Sequence, residues 1–285
     1  MLKSKSFSDR FFEASERFSR FCFGVDPSAQ LLQDWGLPDS VQGLEAFCGI
    51  CLDAAVGRVG IVKPQVAFFE RFGYLGLKCL TEFTATLRAN GILVIADAKR
   101  GDIGTSVSAY GDAWLGADTP FNVDAITAHA YLGLDALAPL FERAHSTDTA
   151  VFVVVKSSNP EGAALQGALD EGVPVALRLA QQIAEFNSRI GLSGGVGPIG
   201  AVVGATLGTD GYATVAAIPN ALFLVPGVGA QGATVAQSND VFREANGRAV
   251  LSASRSILGL GPDVAALAAG LDTIRDEVAK NTSMT

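Results

Sequence analysis

The chain has 285 residues, enough for one large domain or two small ones. Hydrophobic residues make up 49% of it and charged residues 18%, which is typical of a folded protein with much buried sheet and argues against disorder. The net charge of −8 disfavours nucleic acid and anionic membranes as partners, because both attract clustered Lys and Arg.

Short apolar runs rich in Val and Ile alternate with longer segments of helical periodicity, and an amphipathic segment at 5–20 precedes the first run. The apolar runs predict strands at 21–25, 59–63, 92–97, 123–127, 150–155, 199–204, 221–225 and 249–253. The intervening segments predict helices at about 40–57, 74–89, 105–116, 133–145, 172–190, 231–245 and 263–279.

The strand runs are continuous rather than alternating, as expected when helices cover both faces of a parallel sheet. Eight strands that alternate with helices predict the α/β class and a (β/α)₈ barrel, the TIM-barrel architecture, with a doubly wound open sheet as the alternative. No linker-like segment divides the chain. We therefore expect a single domain over 1–285, of which 1–20 form an N-terminal helical extension.

One segment between a predicted strand and the next helix is unusually long for a compact domain. Residues 157–172 contain glycine and proline but few large apolar side chains. Loops of this length are often lids over a functional site, although a tolerated surface insertion has the same composition.

The cysteines and the N-terminus bear on cellular location. No stretch approaches the roughly 20 apolar residues of a membrane span, and the first 20 residues lack the apolar core of a signal peptide. Cys48 and Cys51 form a C-x-x-C pair inside a helical segment, with no second pair to complete a zinc site. We expect a cytosolic protein with buried, reduced thiols and no metal site.

Charged and polar residues follow several predicted strands, where barrel enzymes carry their catalytic groups. The densest segment is ILVIADAKRGDIGT, in which Asp97 and Lys99 share one strand face and Asp102 follows the turn at Gly101. A structural ion pair is the alternative reading, but a second carboxylate so close favours a reactive site. The other residues at strand ends are Asp26, Lys63, Lys156, Ser157, Ser158 and Arg255.

The segment DAKRGDI resembles the D-x-K-x-x-D-I signature of the orotidine 5′-monophosphate decarboxylases. Further resemblances follow in the family's order over residues 21–257: FGVDPS with Asp26, IVKPQ with Lys63, KSSNP with Ser158, LVPGVGAQG with Gln231, and SASRSI with Arg255. The length and the N-terminal extension are similar to the longer bacterial branch of this family.

The resemblance implies conversion of orotidine 5′-monophosphate to UMP, the last step of de novo pyrimidine nucleotide synthesis, without metal or cofactor. Lys99 would donate the proton, while Asp97 and Asp102 hold it as an ammonium and Lys63 balances the second carboxylate. The family places the carboxylate matching Asp102 in the neighbouring subunit's site, so the resemblance implies a homodimer with shared active sites.

The same resemblance implies the substrate contacts. Ile103 would contact the base, and Ser106 matches a family threonine that holds the ribose, with Thr105 as the alternative. Ser158 would read the pyrimidine edge and Asp26 would hold ribose hydroxyls. For the phosphate, the glycines of PGVGAQG allow close backbone approach, and Gln231 and Arg255 offer donors near strands seven and eight.

Two other functions remain open. A related barrel family decarboxylates or condenses sugar phosphates with magnesium, but it carries a metal-binding carboxylate where this chain has Lys63. The second is a non-catalytic phosphate-binding barrel, which has no need for two carboxylates around Lys99. His129 lies near a strand end, where a packed structural histidine is commoner than a general base.

Overall fold

The computed structural model describes residues 5–229 and 234–282. Eight parallel strands form a closed barrel, in which each strand pairs with its sequence neighbours and the last pairs with the first. This confirms the predicted (β/α)₈ barrel, and the doubly wound alternative was wrong. The strands are β1 Phe21–Val25, β2 Ile61–Pro64, β3 Leu93–Arg100, β4 Ala125–His129, β5 Ala150–Lys156, β6 Ile199–Val203, β7 Phe223–Pro226 and β8 Ala249–Ala253.

Helices fill the connections between the strands and pack outside the barrel. The α-helices are α1 Phe7–Phe18, α2 Ala29–Asp34, α3 Val41–Ala55, α4 Ala67–Glu70, α5 Gly73–Ala89, α6 Gly104–Trp114, α7 Ala138–Ser146, α8 Ala163–Gln166, α9 Val175–Ile190, α10 Thr209–Ala216, α11 Val235–Val241, α12 Arg255–Leu258 and α13 Val264–Thr282. Short 3₁₀ helices span Asp135–Leu137, Pro160–Gly162 and Arg243–Ala245.

Local chemistry sets several helix ends near their predicted positions. Ser40 caps α3, since its hydroxyl accepts a hydrogen bond from the Gly43 N–H. α5 ends at Ala89, directly before Asn90-Gly91, where Gly91 has a φ of 75°. The helix predicted over 172–190 begins later, because Leu169–Asp170 and Val173–Pro174 form a short antiparallel hairpin instead. The predicted helix over 231–245 lies partly outside the described residues.

Helix α1 packs against the barrel interior. Phe7 and Phe11 are fully buried among inward-facing strand residues, and the Phe7 ring meets Phe152 of β5 at 5.9 Å between centroids. Arg10 of α1 pairs with the buried Asp124, which also accepts from the backbone N–H of Val94 at 2.9 Å. Packing and the ion pair therefore fasten this helix to the strands and leave their carboxyl ends open.

The cysteines lie in the packed interior. All four (Cys22, Cys48, Cys51 and Cys79) are buried and form no disulfide bond. Within the described ranges, no cluster of three or more His, Cys, Asp or Glu side chains is arranged to hold a metal ion. In the same ranges, none of the helices has the length and apolar character that a membrane span requires.

Candidate active site

A cavity of about 310 Å³ opens at the carboxyl ends of the strands. It includes seven of the residues that the sequence analysis singled out by position or resemblance: Asp26, Lys63, Asp97, Lys99, Ser157, Ser158 and Arg255. Gln65, Thr127 and Ser254 line the same cavity. The barrel therefore gathers residues from β1, β2, β3, β4, β5 and β8 around one space, as strand-end sites in this architecture do.

Asp97 lies at the centre of the charged groups. Its Oδ2 is 3.0 Å from Lys63 Nζ, and its Oδ1 is 2.6 Å from Lys99 Nζ. Thr127 donates its hydroxyl to Oδ1 at 2.8 Å, and the Gln65 amide donates to Oδ2 at 3.3 Å. Four donors thus fix the carboxylate in one orientation.

The two lysines differ in exposure. The Lys63 side chain is 7% exposed, whereas the Lys99 side chain is 51% exposed beside the 11% exposed Asp97. Lys63 therefore belongs to the floor of the cavity, and the Lys99 ammonium is the cation presented to a ligand.

Mutual attraction keeps the buried side chains of Asp97 and Lys63 ionised. Burial alone would raise the pKa of Asp97, but the nearby ammonium groups of Lys63 and Lys99 outweigh it and hold this pKa well below its usual range. Burial likewise opposes the charge on Lys63, yet the carboxylates of Asp97 and Asp26 raise its pKa above the ordinary value. The site therefore keeps fixed positive and negative charges across the neutral pH range.

The backbone of β3 is irregular where it carries these groups. Its pairing with β4 shifts register between Ala96 and Arg100. Lys99 has a φ of 48°, a left-handed conformation that side chains disfavour, and its N–H donates to the Thr127 hydroxyl at 2.9 Å. The strand departs from regular geometry where Lys99 meets Asp97.

Three further polar residues of the cavity have hydrogen-bonding groups that the described part of the chain leaves unused. Asp26 Oδ1 and Ser254 Oγ are buried, and neither has a hydrogen-bond partner within residues 5–229 and 234–282. Arg255 begins α12 at the cavity wall, and its guanidinium forms no salt bridge within the same ranges. Gln231, assigned to the phosphate by resemblance, lies outside the described residues.

Ser158 lines the cavity at the start of the loop after β5. Gly204 makes room for it, since a Cβ on Gly204 would lie 3.0 Å from the Ser158 backbone nitrogen. The neighbouring Ser157 is held by Gln166, whose Oε1 accepts from the Ser157 N–H at 3.0 Å and whose Nε2 donates to its Oγ at 2.7 Å. The loop at 157–172 therefore folds back so that Gln166 contacts its first residue, Ser157.

The single chain does not bring Asp102, Ile103 and Ser106 to this cavity. Asp102 Oδ1 accepts from the Ile103 N–H at 2.8 Å, and in the described residues the carboxylate has no ion pair. The Ile103 side chain is 60% exposed, and Thr105 and Ser106 are exposed on α6. These residues follow Lys99 along the chain, and none of them lines the cavity.

Sequence reasoning missed Thr127, Gln166 and Ser254. Thr127 could have been found as an inward-facing polar residue two positions before the end of β4. No sequence pattern marked Gln166 or Ser254. The contact of Gln166 with Ser157 and the lack of a partner for Ser254 both depend on how the loops fold. His129 packs against the turn, since a Cβ on Gly101 would lie 2.7 Å from its ring.

Comparisons with known proteins agree with this architecture. Residues 19–269 match the family model described as "Orotidine 5'-phosphate decarboxylase / HUMPS family". A Myxococcus xanthus protein named orotidine 5′-phosphate decarboxylase is 43% identical over 274 residues, which cover 95% of this chain and 94% of that protein. A Corynebacterium glutamicum protein of the same name is 40% identical, with coverage of 98% and 97%.

Solved structures show the same relationship. A crystal structure from Streptomyces avermitilis, provisionally assigned to the same enzyme, has a TM-score of 0.91 at 39% identity and covers 99% of this chain and 98% of its own. The structure of Leishmania donovani OMP decarboxylase has a TM-score of 0.80 at 29% identity, with coverage of 98% and 99%.

Proposed function

This chain belongs to the orotidine 5′-phosphate decarboxylase / HUMPS family, and from that premise we propose that it converts orotidine 5′-monophosphate to UMP and carbon dioxide. The observation that carries the proposal is the buried array in which Asp97 lies between the ammonium groups of Lys63 and Lys99 at the cavity. Such an array suits a reaction in which charge moves from a carboxylate to a ring carbon.

The chemistry requires a preorganised cation and a proton. The bond between the ring carbon and the substrate carboxylate breaks, carbon dioxide leaves, and the electron pair stays on the ring carbon. Lys99 Nζ stabilises that negative charge and then transfers a proton to the carbon. By resemblance, Asp97 faces the departing carboxylate. The fixed ammonium of Lys99 contributes more than repulsion from Asp97, because it lies where the negative charge develops.

The remaining cavity residues fit the rest of the nucleotide. Asp26 Oδ1 is a buried acceptor without a partner in the described part of the chain, which suits a ribose hydroxyl. Ser158 and Arg255 both line the cavity. By resemblance Ser158 would read the pyrimidine edge, and the guanidinium of Arg255 suits phosphate oxygens. By resemblance, Gln231 joins Arg255 at the phosphate.

We propose that the enzyme acts as a homodimer in which Asp102, Ile103 and Ser106 complete the partner's site. Support comes from their position outside the chain's own cavity. Large exposed apolar side chains surround the same end of the barrel after β2, β3 and β4: Tyr74, Ile103, Tyr131 and Leu132. A second copy would bury this surface and supply a carboxylate to each cavity.

We also propose a cytosolic location. The four cysteines are buried and form no disulfide bonds, as is usual in reducing compartments.

The residue at the end of β2 disfavours the magnesium-dependent alternative. The end of β2 carries Lys63, whose buried ammonium would repel a divalent cation. A non-catalytic phosphate binder is disfavoured by the same array, because burying these charges is costly and a binder gains little from it.

A spectrophotometric assay with orotidine 5′-monophosphate separates the three functions. We expect turnover that is unchanged by excess EDTA. Absence of turnover, together with magnesium-dependent decarboxylation or condensation of a sugar phosphate, would favour the metal-dependent reaction. Binding of UMP without any turnover would favour the non-catalytic barrel.

Arg255→Ala should weaken UMP binding far more than uridine binding. A charge-assisted hydrogen bond contributes roughly 1.5–3 kcal/mol, which corresponds to a roughly 10- to 100-fold higher Kd for UMP. Uridine lacks the phosphate, so its Kd should change little. Isothermal titration calorimetry measures both, with the exposed Arg243→Ala as the matched control. Equal losses for the two ligands would mean that Arg255 is structural.

A further inference from the structure

Ser254 has a feature that the proposed reaction leaves unexplained. Its Oγ is buried, and within residues 5–229 and 234–282 it has no hydrogen-bond partner. A hydroxyl withdrawn from water without a partner destabilises the folded state, so such groups are rare unless something outside the chain binds them. Ser254 follows the end of β8 and lines the cavity described above.

The packing of Ser254 against β1 helps to explain why its hydroxyl has no partner among the described residues. Ala253 lies opposite Phe23 in the parallel pairing of β8 with β1, which brings Ser254 alongside Gly24. A Cβ on Gly24 would lie 2.8 Å from the Ser254 Cβ, so the glycine is needed for this approach. Because Gly24 has no side chain, it offers the hydroxyl no side-chain partner.

The surroundings indicate what kind of ligand would satisfy it. Asp26 lies two residues after Gly24, and its Oδ1 is the other buried oxygen of the cavity that lacks a partner in the described residues. On the opposite side of β1, Lys63 is paired with Gly24 in the register. Arg255 is the next residue in the chain. An acceptor, a hydroxyl and the guanidinium of Arg255 therefore line this part of the cavity beside the buried Lys63, a set that suits a phosphorylated sugar.

We propose that Ser254 is a further substrate-binding residue, whose hydroxyl bonds to the ribose 5′-phosphate half of the nucleotide. The inference rests on the proposed function and adds a contact that neither the sequence motifs nor the comparisons assign. The hydroxyl both donates and accepts, so either a ribose hydroxyl or a phosphate oxygen satisfies it.

The test compares Ser254→Ala with Ser252→Ala. Both substitutions remove one hydroxyl from the same end of β8, but the buried Ser252, unlike Ser254, has no side-chain oxygen among the buried atoms that lack a partner in the described residues. Isothermal titration calorimetry gives the Kd of UMP and of uridine, and differential scanning calorimetry gives the Tm without ligand. We expect the Kd of UMP to rise roughly tenfold in Ser254→Ala, as for one lost hydrogen bond.

The Tm separates a binding role from a structural one. Removing a hydroxyl that lacks a partner should leave the Tm of Ser254→Ala unchanged or higher, whereas Ser252→Ala should lower the Tm and change the Kd of UMP less. If uridine loses as much affinity as UMP, Ser254 binds the ribose; if only UMP loses affinity, it binds the phosphate.

Two results would overturn the inference: a Kd of UMP that changes less than twofold in Ser254→Ala, or a lowered Tm in Ser254→Ala with no change in affinity. Failure of the proposed function is a separate result, because then the unsubstituted chain itself would not turn over orotidine 5′-monophosphate.

Discussion

Lys99→Ala should leave a folded chain that binds UMP but decarboxylates orotidine 5′-monophosphate at least about 100-fold more slowly, because a preorganised charge contributes roughly 3–4 kcal/mol to the transition state. The loss of a positioned proton donor adds to this effect. The side chain is half exposed, and Asp97 keeps its 3.0 Å contact with Lys63, so the fold should survive. Steady-state kinetics and UMP titration measure the two quantities.

Two control variants accompany this experiment: one separates the charge of Lys99 from its proton transfer, and the other removes a lysine elsewhere on the surface. Lys99→Arg keeps a cation but cannot readily release a proton, so it should bind UMP and remain nearly inactive. Lys78→Ala removes an exposed lysine that pairs with Glu82 on the surface of α5, and it should keep full turnover. Turnover above a tenth of the unsubstituted rate in Lys99→Ala would remove Lys99 from the proton-donor role.

Mixing Asp102→Asn chains with Lys99→Ala chains should restore activity that neither variant has alone. If each site takes Lys99 from one chain and Asp102 from its partner, a mixed dimer has one site with both substitutions and one site with neither. Random exchange makes about half of the dimers mixed, so activity should return to roughly a quarter of that of the unsubstituted enzyme.

The mixing experiment needs proof that the chains exchange. Mass spectrometry of isotopically labelled chains under native conditions measures the fraction of mixed dimers. With exchange established, an absence of recovered activity would contradict the shared site. Asp102 would then act within its own chain, which would require the turn after Gly101 to move toward the cavity.

The barrel could be predicted from the sequence because each strand is a continuous apolar run that needs cover on both faces. The eight runs agree with β1–β8 to within two or three residues. The helix expected over 172–190 was wrong at its start, since the hairpin at 169–174 depends on how the loop folds back. Apolar periodicity carries no information about such a local contact.

Part of the site could also be predicted from regular strand geometry. Asp97 and Lys99 are two residues apart on a strand, so their proximity followed from the side-chain period. Thr127 is 30 residues away along the chain and meets Asp97 only because β4 lies beside β3. The role of Ser254 depends on burial without a partner, which only coordinates reveal. The placement of Asp102 in a partner's site depends on a second chain and stays a prediction.

The left-handed backbone of Lys99 sets two selective pressures against each other. A lysine with a φ of 48° costs the folded state on the order of 1–3 kcal/mol, and a glycine would relieve that strain. Selection for thermal stability alone would therefore replace this lysine, and only selection for turnover retains it. Consensus or laboratory evolution that rewards heat resistance without an activity screen should erode the site first at position 99, through an activity–stability trade-off.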